Sequence, residues 1–334
     1  HSRRFIPLIV FLLGVSIASS CRCREQPGGT GSIPASPPPV PTAATTPTPV
    51  SAAGVLYSWA NPLSIGGSDL DFADHTWVTT YDAPSSCAPP SEYWYSWGGC
   101  HGTGGGTTAR DLARAPADFR VARCICQPDL EDYHPTAQNP AHGGVDLYGI
   151  DGVCHQLSNR ILFATSSGGA TPSTVSAAHG YWFSRFLYGT YGANVNEWES
   201  RKARCSAPVG GPAPAATAAA MMAASAIPAL DQDLVAMFDE RFHRDYARAA
   251  MAQIVNLRHQ LFAEKAVLDR RVRSGAMPPR QFANEVNDLL NRYLSRAAEI
   301  LGPANYQRLF DSPPGRKVGV VDPEIAARSN YRIG

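Results

Sequence analysis

The sequence predicts an α+β chain, with a small cysteine-containing domain ahead of an all-helical hairpin. Three observations carry that expectation. Between residues 54 and 205, short runs rich in β-branched and aromatic residues alternate with turns. Within that region one helix-like run begins near Cys154. From 229 to 310 cysteine disappears and apolar residues recur at helical spacing.

Composition sets the frame. The chain has 334 residues, enough for two domains. The net charge of +1 comes from balanced signs without a basic stripe, so no nucleic-acid partner is expected. With 29 glycines and 28 prolines, much of the chain is expected to be loop or linker.

The N-terminus, "HSRRFIPLIVFLLGVSIASSC", has two arginines, an apolar run from Phe5 to Ala18, and small residues before Cys21. The run, about 14 residues, is short for a membrane-spanning helix, which needs roughly 20. The layout predicts a signal peptide over 1–23. It resembles a bacterial lipoprotein signal, with Cys21 as the lipid-bearing residue, although Ala18 stands where a larger aliphatic residue is usual. The resemblance implies an exported protein, periplasmic or anchored to the membrane through its N-terminus.

Residues 24–53 ("PASPPPVPTAATTPTPV") read as a Pro/Thr-rich linker. Residues 54–205 form the expected α+β domain. Its strand-like runs are "HTWVTTY", "EYWYSW", "FRVARCIC" and "GYWFSRFLY", and its helix starts at Cys154 and continues through "HQLSNRILFA". Residues 206–228 form a second linker, rich in Ala and Pro. The helical domain, 229–310, carries Leu230, Leu234, Met237, Phe238, Phe242, Tyr246, Ile254, Leu257 and Leu261. After "SGAMPP" come Phe282, Val286, Leu289, Leu290, Tyr293, Ala297 and Leu301. Pro278 and Pro279 open this second run and Gly302-Pro303 closes it. Two antiparallel helices and a short third one near Tyr306–Phe310 are expected, and the tail, 311–334, reads as irregular.

Cys154 is the residue with the most chemistry open to it. A thiolate is favoured at a helix N-terminus, where free N–H groups and the helix dipole stabilise negative charge. A buried structural cysteine fits the fragment equally well. A nucleophile also needs a base. His75, in "DFADHTWVTTYDAP", opens a strand-like run and is the first candidate; His179, in "SAAHGYWFSRFLYGTYG", is the alternative base. His155 adjoins the cysteine and would point elsewhere on the helix.

"GVCHQLSNRIL" resembles the Gly-x-Cys helix start of the papain-like and transglutaminase-like cysteine superfamily, and "DHTWV" resembles its His-x-Trp strand. The usual order is cysteine before histidine. Here the histidine comes first, as in the circularly permuted branch that includes permuted NlpC-type peptidases and lecithin retinol acyltransferase-like enzymes. The resemblance covers roughly residues 70–190. It implies a papain/transglutaminase-like domain with Cys154 as nucleophile and His75 as general base. The family's third polar residue, which orients the imidazole, has candidates in His101, Asp82 and Asp74. The backbone N–H of Cys154 would contribute to an oxyanion hole.

The other cysteines have a competing chemistry. Cys100, His101, Cys124 and Cys126 could ligate zinc, but the C-x-C spacing and the Cys-His adjacency fit that poorly. In an oxidising compartment Cys87, Cys100, Cys124, Cys126 and Cys205 are expected in disulfides of undetermined connectivity. No metal and no cofactor are expected. "GGCHGTGGGTT" lacks the Gly-Lys-Ser/Thr ending of a phosphate loop.

Two functions follow. One is an exported bacterial cysteine-dependent amidase, peptidase or transacylase, acting on peptide or peptidoglycan amide bonds. The other is a non-catalytic, disulfide-stabilised envelope binding module. In either, the helical domain is the expected surface for a protein partner.

Overall fold

The computed structural model of the chain describes residues 53–65, 68–79, 94–95, 110–118, 121, 147–166, 172–193, 202–203, 230–243, 246–329 and 331. The signal segment, both linkers apart from Ala53, and His101, Asp82, Cys21, Cys23, Cys87, Cys100, Cys124, Cys126 and Cys205 lie outside the described residues.

Four antiparallel strands form one sheet: β1 (Ala53–Ile65), β2 (Ser68–Thr79), β3 (Trp94–Tyr95) and β4 (Arg110–Asp118), in the order β3-β2-β1-β4. Three are long, and β3 adds one two-residue rung, Val78 to Tyr95 and Thr79 to Trp94. Central β1 and edge strand β4 are missing from the strand-like runs read in the sequence, and proline is the reason. Pro62 sits where the β1–β2 register slips, and Pro116 sits on β4 at the sheet edge, the two settings in which a strand tolerates a residue without an N–H.

Seven helices occur among the described residues: α1 (Cys154–Thr165), α2 (Tyr181–Tyr188), α3 (Leu230–Phe242), α4 (Arg248–Arg273), α5 (Pro279–Leu301), α6 (Pro303–Phe310) and α7 (Pro323–Arg328). The chain is therefore α+β. Helix α2 replaces the strand expected for "GYWFSRFLY". Every one of its residues is buried, so an apolar run marked the core without marking the period. Helix α7 lies in the tail expected to be irregular. Asp322 caps it by accepting from the Glu324 N–H at 2.7 Å, and Pro323 takes the first turn.

Helices α4 and α5 form the expected hairpin. After α4, Gly275 adopts φ 74°, and the Ser274 and Gly275 N–H groups return to Arg270 O and Val272 O. Pro278 and Pro279 then start α5. Its buried residues, Phe282, Val286, Leu289, Leu290, Tyr293, Leu294, Ala297 and Leu301, make one stripe at steps of three and four. No helix of the described residues is long and apolar enough to cross a membrane.

The hairpin reaches the cysteine segment through buried cations. Arg258 of α4 is fully buried and donates to Phe186 O at 2.8 Å and Arg185 O at 3.1 Å, covering carbonyls at the end of α2. Lys265 donates to Ile150 O at 3.0 Å while paired with Asp269. Buried apolar residues from Leu56 to Tyr331 form one continuous cluster.

Candidate active site

The turn before α1 is built from its own backbone. Asp151 Oδ2 accepts from the Leu147 N–H at 2.8 Å, and the Ile150 and Asp151 N–H groups both return to Leu147 O. Two glycines permit it. Gly149 has φ 75°, and a Cβ there would lie 2.8 Å from a Val321 methyl. Gly152 has φ 150°, and a Cβ there would lie 2.6 Å from Gln156 Cβ. Gln156, the third helical residue, accepts from the Val153 N–H at 3.1 Å, which is half of a capping box. The other half is lacking because valine has no acceptor. The Gln156 amide in turn donates to Gly189 O at 3.0 Å.

Cys154 is therefore the first residue of α1. It is a free thiol, 7% exposed, and the one cysteine among the described residues. Its Sγ lies 3.8 Å from Asp74 O as donor. Burial pushes the thiol up to about 11, against hydrogen bonds from the Thr76 and His155 N–H groups and the Thr76 hydroxyl; the nearby Asp74 charge raises it further. The same N–H groups would stabilise a thiolate once water reached it.

Three histidines bear on this site, two of them lining the pocket at the thiol and one joined to it through Asp74, and each is committed differently. His155 Nε2 lies 3.1 Å from Asp74 O and Nδ1 lies 2.8 Å from Ser184 Oγ. A carbonyl can only accept, so Nε2 carries the proton and Nδ1 receives the serine hydroxyl. Burial lowers this imidazole to about 4, opposed by the Asp74 charge and carbonyl, and it is neutral at pH 7. His75 is buried on β2, its ring stacked on Trp77 at 5.9 Å and 19°. Strand alternation turns it away from Thr76, whose hydroxyl meets Ser158 of α1 at 3.1 Å. His179, by contrast, is joined to Asp74. Its N–H donates to Asp74 Oδ2 at 2.7 Å, its Nδ1 lies 3.5 Å from Oδ1, and its carbonyl accepts from the Asp74 N–H at 3.0 Å. The His179 side chain is 57% exposed, whereas Asp74 is 3% exposed. Arg110 of β4 completes the carboxylate's partners with an ion pair.

One small pocket gathers part of this set, while His179 and Arg110 reach it through Asp74 and do not line it. Cys154, His155, Asp74 and His75 line it together with Tyr148, Phe183, Ile325 and the stretch Val318–Val320. Its volume of about 20 Å³ is room for roughly one water. Tyr148, Arg110 and the 318–320 stretch are site residues that sequence reasoning missed. Tyr148 stands in no motif, and the others come from remote segments without a local motif. The Tyr148 hydroxyl accepts from the Asp322 N–H at 2.9 Å. Burial raises its pKa well above that of an ordinary tyrosine, and the neighbouring Cys154 and Asp322 charges act the same way.

Among the described residues no cluster of three or more His, Cys, Asp or Glu could hold a metal ion. No protein-family model, curated protein or solved structure matches the chain.

Proposed function

We propose that this chain is an exported cysteine-dependent amidase, peptidase or transacylase acting on peptide or cell-wall amide bonds, built on a papain/transglutaminase-like domain with an appended helical domain. Cys154 is the nucleophile. His179, whose Nδ1 lies 3.5 Å from the Asp74 carboxylate, is the proton acceptor in place of His75, and the stacking of the His75 ring on Trp77 supports that choice. The observation that carries the reading is a free thiol on the first turn of α1, beside the residue whose carboxylate holds an exposed imidazole.

In this mechanism the Cys154 proton passes to the imidazole and the sulfur attacks the amide carbonyl, forming the S–C bond. The backbone N–H groups of His155 and Thr76 lie against the sulfur and favour its thiolate. The C–N bond then breaks, and the amine leaves with the proton from the imidazole. Water, deprotonated by the same imidazole, or a second amine cleaves the thioester and restores the thiol.

One observation favours a non-catalytic alternative, a disulfide-stabilised binding module: the thiol is buried and pushed up to about 11. A single experiment separates the two. The folded chain is mixed with p-nitrophenyl acetate, and the adduct is mapped by mass spectrometry. The enzyme reading expects an acetyl thioester at Cys154 that is absent in Cys154→Ser. It also expects acylation about 100-fold slower in His179→Ala, with His75→Ala closer to wild type. An absence of any adduct at Cys154, or Cys154 found in a disulfide, refutes it.

A further inference from the structure

The segment that closes the Cys154 pocket comes from the far end of the described chain, and it is gripped by its backbone. Asn287 and Asn291 stand four residues apart on α5. The Asn291 side chain accepts from the Val318 N–H at 2.9 Å and donates to Val318 O at 2.8 Å. The Asn287 side chain accepts from the N–H groups of Val320 and Val321, each at 2.9 Å, and donates to Val321 O at 2.8 Å. Two carboxamides thus stand in for a neighbouring strand, pairing main-chain groups without regard to side-chain identity. That is how proteins hold extended peptides, with affinity from the main chain and specificity from pockets for alternate side chains.

The side chains supply the specificity. Val318 and Val321 are buried, and Val318, Gly319 and Val320 line the pocket with Cys154. Residues 313–317 leading into this strap are exposed, and Gly315 within them adopts φ 85°. At its other end the strap is held by the Tyr148 hydroxyl on Asp322 N–H.

We propose that residues 317–322 occupy in cis an extended-peptide groove beside Cys154, and that the substrates of this site are extended peptide segments with glycine at the thiol flanked by β-branched residues. The substrate assignment rests on the reading of Cys154 as nucleophile; the occupancy of the groove does not. The strap shuts the thiol off from bulk water, leaving space for about one molecule, and its release is what exposes the sulfur.

The test uses the full chain and iodoacetamide alkylation of Cys154, mapped by mass spectrometry. Asn287→Ala/Asn291→Ala removes the grip and is expected to speed alkylation about tenfold or more. A strap variant that keeps both asparagines, Val318→Asp/Val321→Asp, is expected to speed alkylation as well, and in that variant a synthetic peptide of residues 315–326 added in excess is expected to restore the slow rate, whereas the same peptide with Gly319→Leu is not. In the wild-type chain, over sub-denaturing urea, the alkylation rate is expected to run parallel to amide hydrogen exchange of 318–321. That measurement decides the matter if the double variant does not fold. A wild-type alkylation rate in a folded double variant overturns the proposal. So does a peptide that gives no protection, or Cys154 alkylation that outpaces strap exchange. Peptide protection without an acetyl thioester at Cys154 leaves the groove standing and removes the enzyme reading. An acetyl thioester without peptide protection does the reverse.

Discussion

Helices α1 and α5 bury themselves in opposite ways. On α5 one apolar stripe faces inward, and Arg292 and Arg296 face solvent. On α1 every residue from Cys154 to Thr165 is buried, including His155, Gln156, Ser158, Asn159 and Arg160. Those polar groups are matched one by one. Asn159 donates to Thr190 O at 2.8 Å and accepts from the Val175 N–H at 2.9 Å. Arg160 donates to the carbonyls of Tyr191 and Asp151. A helix packed on all sides gains stability from its polar residues only while each finds a partner. A helix with one apolar stripe leaves its solvent-facing residues free to vary, which on α5 excepts Asn287 and Asn291, turned onto the strap.

The contrast can be broken at its strongest point first. Arg160→Met keeps the side chain's bulk but removes the charged donor from the half-buried Tyr191 carbonyl and leaves the Asp151 carbonyl with the Ala193 N–H alone. Urea unfolding is expected to show a loss of about 3 kcal/mol, and a change within experimental error would mean that α1 is not held by its polar contacts. Next comes acid. The His155 imidazole is lowered to about 4 from an ordinary 6.5, so its contribution is present above pH 6.5 and is lost as pH falls through 4. That limb is expected to be about 3 kcal/mol deep in the wild type and shallower in His155→Gln. Equal pH profiles would sink the assignment. The smallest effect belongs to α5. The Arg292–Glu264 pair is largely exposed on both sides, so Arg292→Ala is expected to change stability by less than about 0.5 kcal/mol. A larger change would blur the distinction between the two helices.

The same contrast explains what was legible in the sequence. The α4–α5 hairpin could be read because one-sided burial writes a period of three and four into the apolar residues. The start of α1 could be read from Gly152 and Cys154, but its packing could not, because a fully buried helix has no polar face to mark its period. The sequence of helix α2 reads as a strand for that reason. At the site, Cys154, Asp74 and His179 were each nameable, yet their grouping depends on a sheet and a helix meeting. The bond between Asp74 and His179 spans 105 residues. Arg110 and the 318–321 strap had no local signature, since their roles are set by what they reach and not by their neighbours in sequence.

Tyr148 gives the arrangement a history in time. Its hydroxyl bonds a residue 174 positions later and its carbonyl accepts from the Tyr331 hydroxyl 183 positions later. Closing loops of that length is entropically costly and ranks among the late events of folding. On the ribosome, α1 emerges well before the residues that seal its pocket. Every newly made molecule therefore passes through a stage in which the Cys154 sulfur is open to oxidants and other thiols. Any cell making this chain has to bring it through that interval reduced.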